Sequence, residues 1–218
     1  MLNLNHFSRQ SGLIDPKKLN MPIAVIGAGG IGSWTCLALL KMGCQDVTVY
    51  DFDTVEEGNL GSQIYNEADI GKPKTQALID KLFLLSETEL KVKNEKWTVS
   101  TSLRGFDIVI AAVDSIEARD DLFKSDMRLH VPHFIDGRMA KNEINLYYAH
   151  MRSAESCKFY EDTLFPPEDA IEVPCSERAV VYNTFVVAGL ICAIVAQIAN
   201  NEKPKQETIV DLRNFMMN

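Results

Sequence analysis

Residues 21–53 read MPIAVIGAGGIGSWTCLALLKMGCQDVTVYDFD, and this stretch decides the fold. An apolar run, Ile23 to Ile26, leads into Gly27-Ala28-Gly29-Gly30-Ile31-Gly32. A helix-period segment follows from Ile31 to Met42, and a second apolar run, Val47 to Tyr50, ends on Asp51. Strand, glycine turn, helix, strand and acid, in that order, make a nucleotide-binding βαβ unit. Gly27 permits the tight turn, Gly29 lets the backbone approach a phosphate, and Gly32 lets the helix pack close to the strand. The helix amides and the positive end of its dipole then face the phosphates. Asp51 lies about twenty residues past the last glycine, where a carboxylate accepts ribose hydroxyls. A tight turn that binds nothing is the plainer alternative.

Outward from this unit the chain alternates strands and helices. Residues 1–20 form a polar arm with a short helix expected around Phe7 to Leu13. The stretch from Thr54 to Pro73 is a long loop, and loops of that length are more often functional than idle. A helix is expected from Lys74 to Leu85 and a weak strand within Glu89 to Val99. A continuous apolar strand runs from Phe106 to Val113. Ser115 caps a helix to about Leu129. Strands are expected at His133 to Arg138 and, alternating as a half-solvated antiparallel strand does, at Glu143 to His150. Residues 151–174 read as an irregular crossover segment. A strongly apolar helix spans Glu177 to Ala199, and a short strand Thr208 to Leu212. The expected fold is α/β: a Rossmann-like, mostly parallel sheet with helices on both faces and an antiparallel extension in its second half. The whole chain, 1–218, is read as a single domain with its nucleotide-binding core at 21–140 and its last helix and strand within 175–218. In such a sheet ligands sit beyond the carboxyl ends of the strands. Gly27 to Gly32, Asp51, Asp53 and Asp114 are therefore expected around one crevice.

Composition narrows the function classes. Hydrophobic residues make up 46% and charged residues 24%, ordinary for a soluble globular protein. A net charge of −8 argues against a general nucleic-acid surface. The longest apolar run, Phe185 to Ala196, is too short to cross a bilayer and reads as a buried helix. Five cysteines without a C-x-x-C pair argue against a disulfide framework and a paired-cysteine zinc site, and suit a reducing cytosol. No leader pattern is visible at the N-terminus. A cytoplasmic protein without membrane or nucleic-acid partners is expected. The four histidines show no ligand spacing and read as structural.

Three features separate ATP chemistry from hydride transfer. Asp114 ends a central strand beside the expected phosphates and is placed to hold Mg²⁺, although it could equally be a helix-start acid. Lys72 and Lys74 open a helix, where lysine opposes the dipole; a phosphate would compensate them, as would solvent. Arg9 adds a cation and Asn59 a neutral donor.

These pieces carry a resemblance. His6-Phe7-Ser8-Arg9-Gln10 is similar to the family form R-Y-S-R-Q. With it go GAGGIG, Asp51-Phe52-Asp53-Thr54-Val55 with Asn59-Leu60, Gly71-Lys72-Pro73-Lys74, and Asp114-Ser115 with Arg119. Together they cover residues 6–120 in order and resemble the ThiF/MoeB-type family, prokaryotic relatives of ubiquitin-activating enzymes. The apolar helix Val180 to Ala193 is similar too, less specifically. The resemblance implies ATP-dependent adenylation of the C-terminal carboxylate of a ubiquitin-like or sulfur-carrier protein ending in Gly-Gly. It implies Asp51 on the ribose, Asp114 on Mg²⁺, Lys74 and Arg9 on phosphates, and Asn59 nearby. It also implies a homodimer in which Arg9 serves the neighbouring site in trans.

Two departures stand out. The family's N-L-x-R-Q reads Asn59-Leu60-Gly61-Ser62-Gln63, so Ser62 replaces a phosphate-contacting arginine, for which Arg138 is a candidate substitute. The family's paired zinc cysteines are absent, so Mg²⁺ is the only metal expected. Cys175, in Val173-Pro174-Cys175-Ser176, lies where a helix N-terminus would lower its pKa. The stretch looks similar to the P-x-C-T of thioester-forming activating enzymes, so Cys175 is either a nucleophile or an inert thiol; Cys157 is a weaker candidate. Other classes remain: adenylation of a peptide or small carboxylate, an NAD-dependent oxidoreductase, and a non-catalytic subunit that binds a ubiquitin-like protein.

Overall fold

A computed structural model describes residues 4–86, 88–166 and 180–218. The elements follow the chain as β1 (Ile23–Ile26), α1 (Gly30–Met42), β2 (Val47–Tyr50), α2 (Lys74–Ser86), β3 (Lys91–Lys93) and β4 (Ile108–Ala111). Then come α3 (Ile116–Lys124), α4 (Met127–His130), β5 (His133–Ala140), β6 (Glu143–His150), α5 (Ala154–Glu161), α6 (Val181–Ala199), β7 (Glu207–Asp211) and β8 (Met216–Met217). All eight strands share one sheet in the order β3-β2-β1-β4-β5-β6-β7-β8. Pairing is parallel from β3 to β5 and antiparallel from β5 to β8. The fold is therefore the mostly parallel, Rossmann-like sheet with an antiparallel extension that the sequence implies.

The alternation of β1 makes the two layers. Ile23 and Val25 pack with α1, α2 and α6. Ala24 and Ile26 point to the other face and pack with α3, α4 and α5. Because β1, β2 and β4 are buried on both faces, they read as unbroken apolar runs. Between β1 and β4 the strand order reverses direction, and the glycine turn leaves β1 at that switch point.

Several boundaries differ from expectation. The arm forms a 3-10 turn at Leu4–Phe7 rather than a helix over 7–13. The strand expected in 89–99 shrinks to Lys91–Lys93, an edge strand whose Lys93 carbonyl takes the last bond, from Asp51 N. The helix after Ser115 breaks at Ser125, whose Oγ donates to Leu122 O and accepts from Met127 N, competing with the helical ladder. The crossover segment is not irregular throughout. It holds α5, capped by Ser153 accepting from Ser156 N, with Cys157 and Tyr160 turned into the core. Helix α6 starts at Val181; Glu177 lies outside the described residues. At 19 residues it is long and apolar enough to cross a membrane by length and composition, and half of it is buried in this fold. It lies against α1, β5 and β6.

At the far end of the parallel strands, a cavity of about 520 Å³ is lined by His133, Tyr148, His150, Asn201 and Lys203 among others. His133 Nδ1 lies 2.9 Å from Tyr148 Oη.

Candidate active site

The glycine turn is fixed from three sides. Gly27 has φ +104° and would bring a Cβ within 2.5 Å of the Ala112 carbonyl oxygen, so only glycine lets β1's exit meet β4's. Gly32 closes the turn from within: a Cβ there would stand 1.9 Å from Gly27 O. Gly29, by contrast, faces open space, with Gln63 Nε2 3.9 Å from where its Cβ would be. The backbone in front of the α1 N-terminus is thus open to the close approach of an anion. The first turn of α1 carries no acid to oppose one.

Asp51 stitches β2 to this turn. Its Oδ2 accepts from Ala28 N at 2.6 Å and its Oδ1 from Asp53 N at 2.8 Å. Burial raises its pKa, and the two amides and Lys74 offset that rise only in part. Each carboxylate oxygen has a further lone pair, so ribose hydroxyls remain within its capacity. The long loop folds over the same turn. Tyr65 Oη donates to Ala28 O at 2.8 Å, and Trp34 Nε1 holds Ser62 O at 2.9 Å. Asn59 spends its Oδ1 on Glu56 N, in a capping box of the 3-10 turn Glu57–Asn59.

The lysines are compensated within the chain. Buried Lys74 pairs with Asp53 at 2.9 Å, and its backbone N donates to Asp53 O. Lys72 pairs with Asp69 at 3.2 Å, and Lys81 reaches the same carboxylate at 2.8 Å. A lysine at the start of α2 thus needs no phosphate to be tolerated. Lys74 nevertheless stands at the end of β2 beside Asp51, the side from which a phosphate would be approached.

Asp114 follows β4 and is exposed, with no described group on its carboxylate. Among the described residues no group of three or more His, Cys, Asp and Glu is arranged to hold a metal ion. A single carboxylate supplemented by phosphate oxygens is, however, a common Mg²⁺ arrangement. Behind Asp114, Arg119 is buried and ion-pairs Asp136 at 2.9 Å. Arg138, the candidate substitute for the missing arginine, is spent elsewhere. Its Nε bonds Asp136 at 2.7 Å, while Nη1 and Nη2 donate to Thr163 O and Oγ1 at 2.9 and 3.1 Å. Its guanidinium also stacks over Tyr147.

Gly27, Gly29, Gly30, Gly32, Asp51, Asp53, Lys74 and Asp114 therefore gather at the carboxyl ends of β1, β2 and β4. Arg9 does not join them. The arm lies at the other end of α1, where Phe7 packs on Gly43 and Gln10 Nε2 bonds Met42 O. Thirteen residues of helix separate it from the turn by about 20 Å. Cys175 lies outside the described residues. Cys157 is buried with its thiol raised by burial, and Cys36, buried in α1, is pushed up to about 12. Asp136 was missed as a site residue, although an acid in an apolar strand with an arginine two places on is a legible signal.

Residues 8–217 match the pattern of the ThiF family. The chain belongs to the ThiF family. It is 26% identical over 211 residues to the molybdopterin-synthase adenylyltransferase of Escherichia coli K12, covering 94% of this chain and 81% of that protein. It is also 30% identical over 114 residues to tRNA threonylcarbamoyladenosine dehydratase 1 of Saccharomyces cerevisiae, covering 47% of this chain and 26% of that protein. Among solved structures, E. coli MccB with ATP superposes with a TM-score of 0.78 at 16% identity, over 99% of this chain and 70% of that one. This last likeness concerns the fold. The chain spans from about a quarter to about half the length of the first curated relatives that it matches.

Proposed function

We propose that this ThiF-family chain is an ATP-dependent adenylyltransferase that activates a carboxylate. One observation carries the reading: a glycine turn, a ribose-competent acid, a lysine and an exposed aspartate that no described residue engages meet at one switch point. The molybdopterin-synthase adenylyltransferase relative supports it. A substrate carboxylate oxygen attacks the α-phosphorus, the bond to the bridging oxygen breaks, and pyrophosphate leaves with that electron pair. Two anions must approach each other, so cations have to screen them. The amides of the glycine turn hold the phosphates, Asp51 the ribose, and Lys74 exchanges its Asp53 partner for phosphate oxygen. Asp114 would hold a Mg²⁺ ion, which when bound would supply charge neutralisation. The finer reading takes the substrate as the C-terminal Gly-Gly of a ubiquitin-like or sulfur-carrier protein. In that reading Cys175 accepts the acyl group as a thioester, Arg9 reaches the site of a second copy in a cytoplasmic homodimer, and no zinc is used. The distance of the arm from its own turn supports action in trans.

The test is ATP–pyrophosphate exchange with carriers ending in Gly-Gly and, in parallel, with small carboxylates. Exchange in the wild type, abolished by Asp114→Ala, is expected. Full exchange in Asp114→Ala refutes the metal assignment, and tight NAD binding without exchange refutes the reaction class. One observation favours a second reading, a nucleotide-binding subunit without catalysis. Ser62 stands where the family's arginine would be, and Arg138 is committed to Asp136 and Thr163. ATP binding without exchange, rescued by a second subunit, identifies that case.

A further inference from the structure

The most enclosed ionic cluster in the described residues lies directly behind the candidate metal carboxylate, and nothing in the adenylation reading uses it. Asp136 is fully buried on β5, in register with Ala111 on β4, three residues before Asp114. Its two oxygens are divided between two guanidinium groups. Oδ1 accepts from Arg119 Nε at 2.9 Å; Oδ2 accepts from Arg138 Nε at 2.7 Å and from Tyr160 Oη at 2.9 Å.

What Arg119 does with its remaining nitrogens gives the cluster a direction. Nη1 donates to Ser115 O at 2.9 Å and Nη2 donates to Val113 O, the carbonyls on either side of Asp114. Nη2 also reaches Gly137 O at 3.4 Å. Ser115 in turn caps α3 through Ala118 N. A planar guanidinium that bridges Val113 O and Ser115 O holds the peptide plane entering Asp114 and the one leaving Ser115, and so braces the 113–115 backbone that carries the Asp114 Cα. Among the described residues the backbone is what aims this carboxylate, because the side chain is exposed and none of them engages it. A fork on a long side chain can hold two carbonyls only if its own orientation is set from behind. Asp136 sets it.

We propose that Asp136 is a positioning residue for Asp114, acting through Arg119, so that the metal-facing carboxylate is presented in one orientation. Arg138 is the second cation that lets a fully buried carboxylate serve this purpose, and its hold on Thr163 ties the same hub to the start of the stretch leading to Cys175. The proposal rests on the reading of Asp114 as the Mg²⁺ ligand. Groups standing behind a ligand in this way typically control metal affinity by about 10–100-fold.

The experiment measures ATP affinity of the full chain by titration calorimetry, once with Mg²⁺ and once in EDTA, and takes the ratio as the Mg²⁺-dependent gain. Asp136→Asn is expected to leave the EDTA affinity within about twofold and to reduce the gain by about tenfold or more. Amide hydrogen exchange across 113–119 is expected to speed up in the same variant. An unchanged gain, an equal loss with and without Mg²⁺, or unchanged exchange across 113–119 overturns the proposal. If Asp136→Asn does not fold, Arg119→Lys applies the same criteria, because it keeps the charge beside Asp136 and removes the fork from the two carbonyls. Asp114→Ala separates the two failures. If that variant keeps the wild-type gain, the metal reading has failed. If it loses the gain while Asp136→Asn and Arg119→Lys keep it, the positioning role alone has failed.

Discussion

Replacing Gly32 by alanine puts the described turn geometry to a direct trial. The added methyl would lie 1.9 Å from the Gly27 carbonyl oxygen and 3.3 Å from the Ala112 Cβ. An ordinary carbon–oxygen contact is about 3.3 Å or more, so α1 and the turn must separate by well over about 1 Å. The opposing atoms are backbone and cannot rotate away. Overpacking of this kind costs about 1–3 kcal/mol or more, against which alanine returns about 1 kcal/mol of helix propensity. The net loss, up to about 2 kcal/mol, lowers the melting temperature of a chain this size by up to about 8 °C. A displacement near 1 Å also pulls the turn amides off the phosphate, and misplacement on that scale costs about a hundredfold. Gly29→Ala is the partner experiment. Its methyl meets only Gln63 Nε2 at 3.9 Å, so the fold is kept while the phosphate approach is filled. Thermal unfolding and ATP titration on both variants are expected to show Gly32→Ala losing stability and binding, and Gly29→Ala losing binding alone. Wild-type melting and wild-type ATP affinity in Gly32→Ala would refute the close approach of α1 to the turn.

Further outcomes follow from the same fold. The His133 pKa falls from 6.5 to about 4, because burial and the nearby charges of His150 and Arg152 oppose its protonation. The unfolded chain therefore binds more protons between those values, and stability present above pH 6.5 is lost as pH falls toward 4. With solvent screening the effect is about 1–2 kcal/mol, and His133→Asn is expected to flatten the melting-temperature profile over that window. Cys175→Ala is expected to spare pyrophosphate exchange and remove only a reducible adduct with the carrier, read by non-reducing gels; loss of exchange would place the thiol in the first half-reaction instead.

The βαβ unit was legible because three signals of different physical origin coincide: apolar runs, glycine spacing and a terminal acid. Convergence of Asp51, Asp53 and Asp114 followed from the rule that ligands gather at strand carboxyl ends, and the sheet has that topology. Three things were not legible. Helix α5 hides in a charged stretch because only Cys157 and Tyr160 mark its inner face, and the spacing of two residues is too little to carry a period. Pairing of Lys74 with Asp53 depends on a contact 21 residues apart, which no local pattern encodes. Arg138 read as a free cation because its partners, Asp136 apart, come from β6, α5 and the turn after α5. The hub at Asp136 was missed for a related reason. An acid within an apolar run looks like a strand-end residue until the antiparallel extension carries β5 past it and covers it.

The stitch from Asp51 to the Ala28 amide bears on how a ligand is received. A glycine-rich turn left to itself would sample many shapes, and an incoming nucleotide would have to select one, surrendering part of its affinity in doing so. Here a carboxylate from the neighbouring strand selects the shape during folding, and Tyr65 pins the same residue from the other side. The cradle is rigid before anything enters it, so encounter with the nucleotide requires docking rather than remodelling.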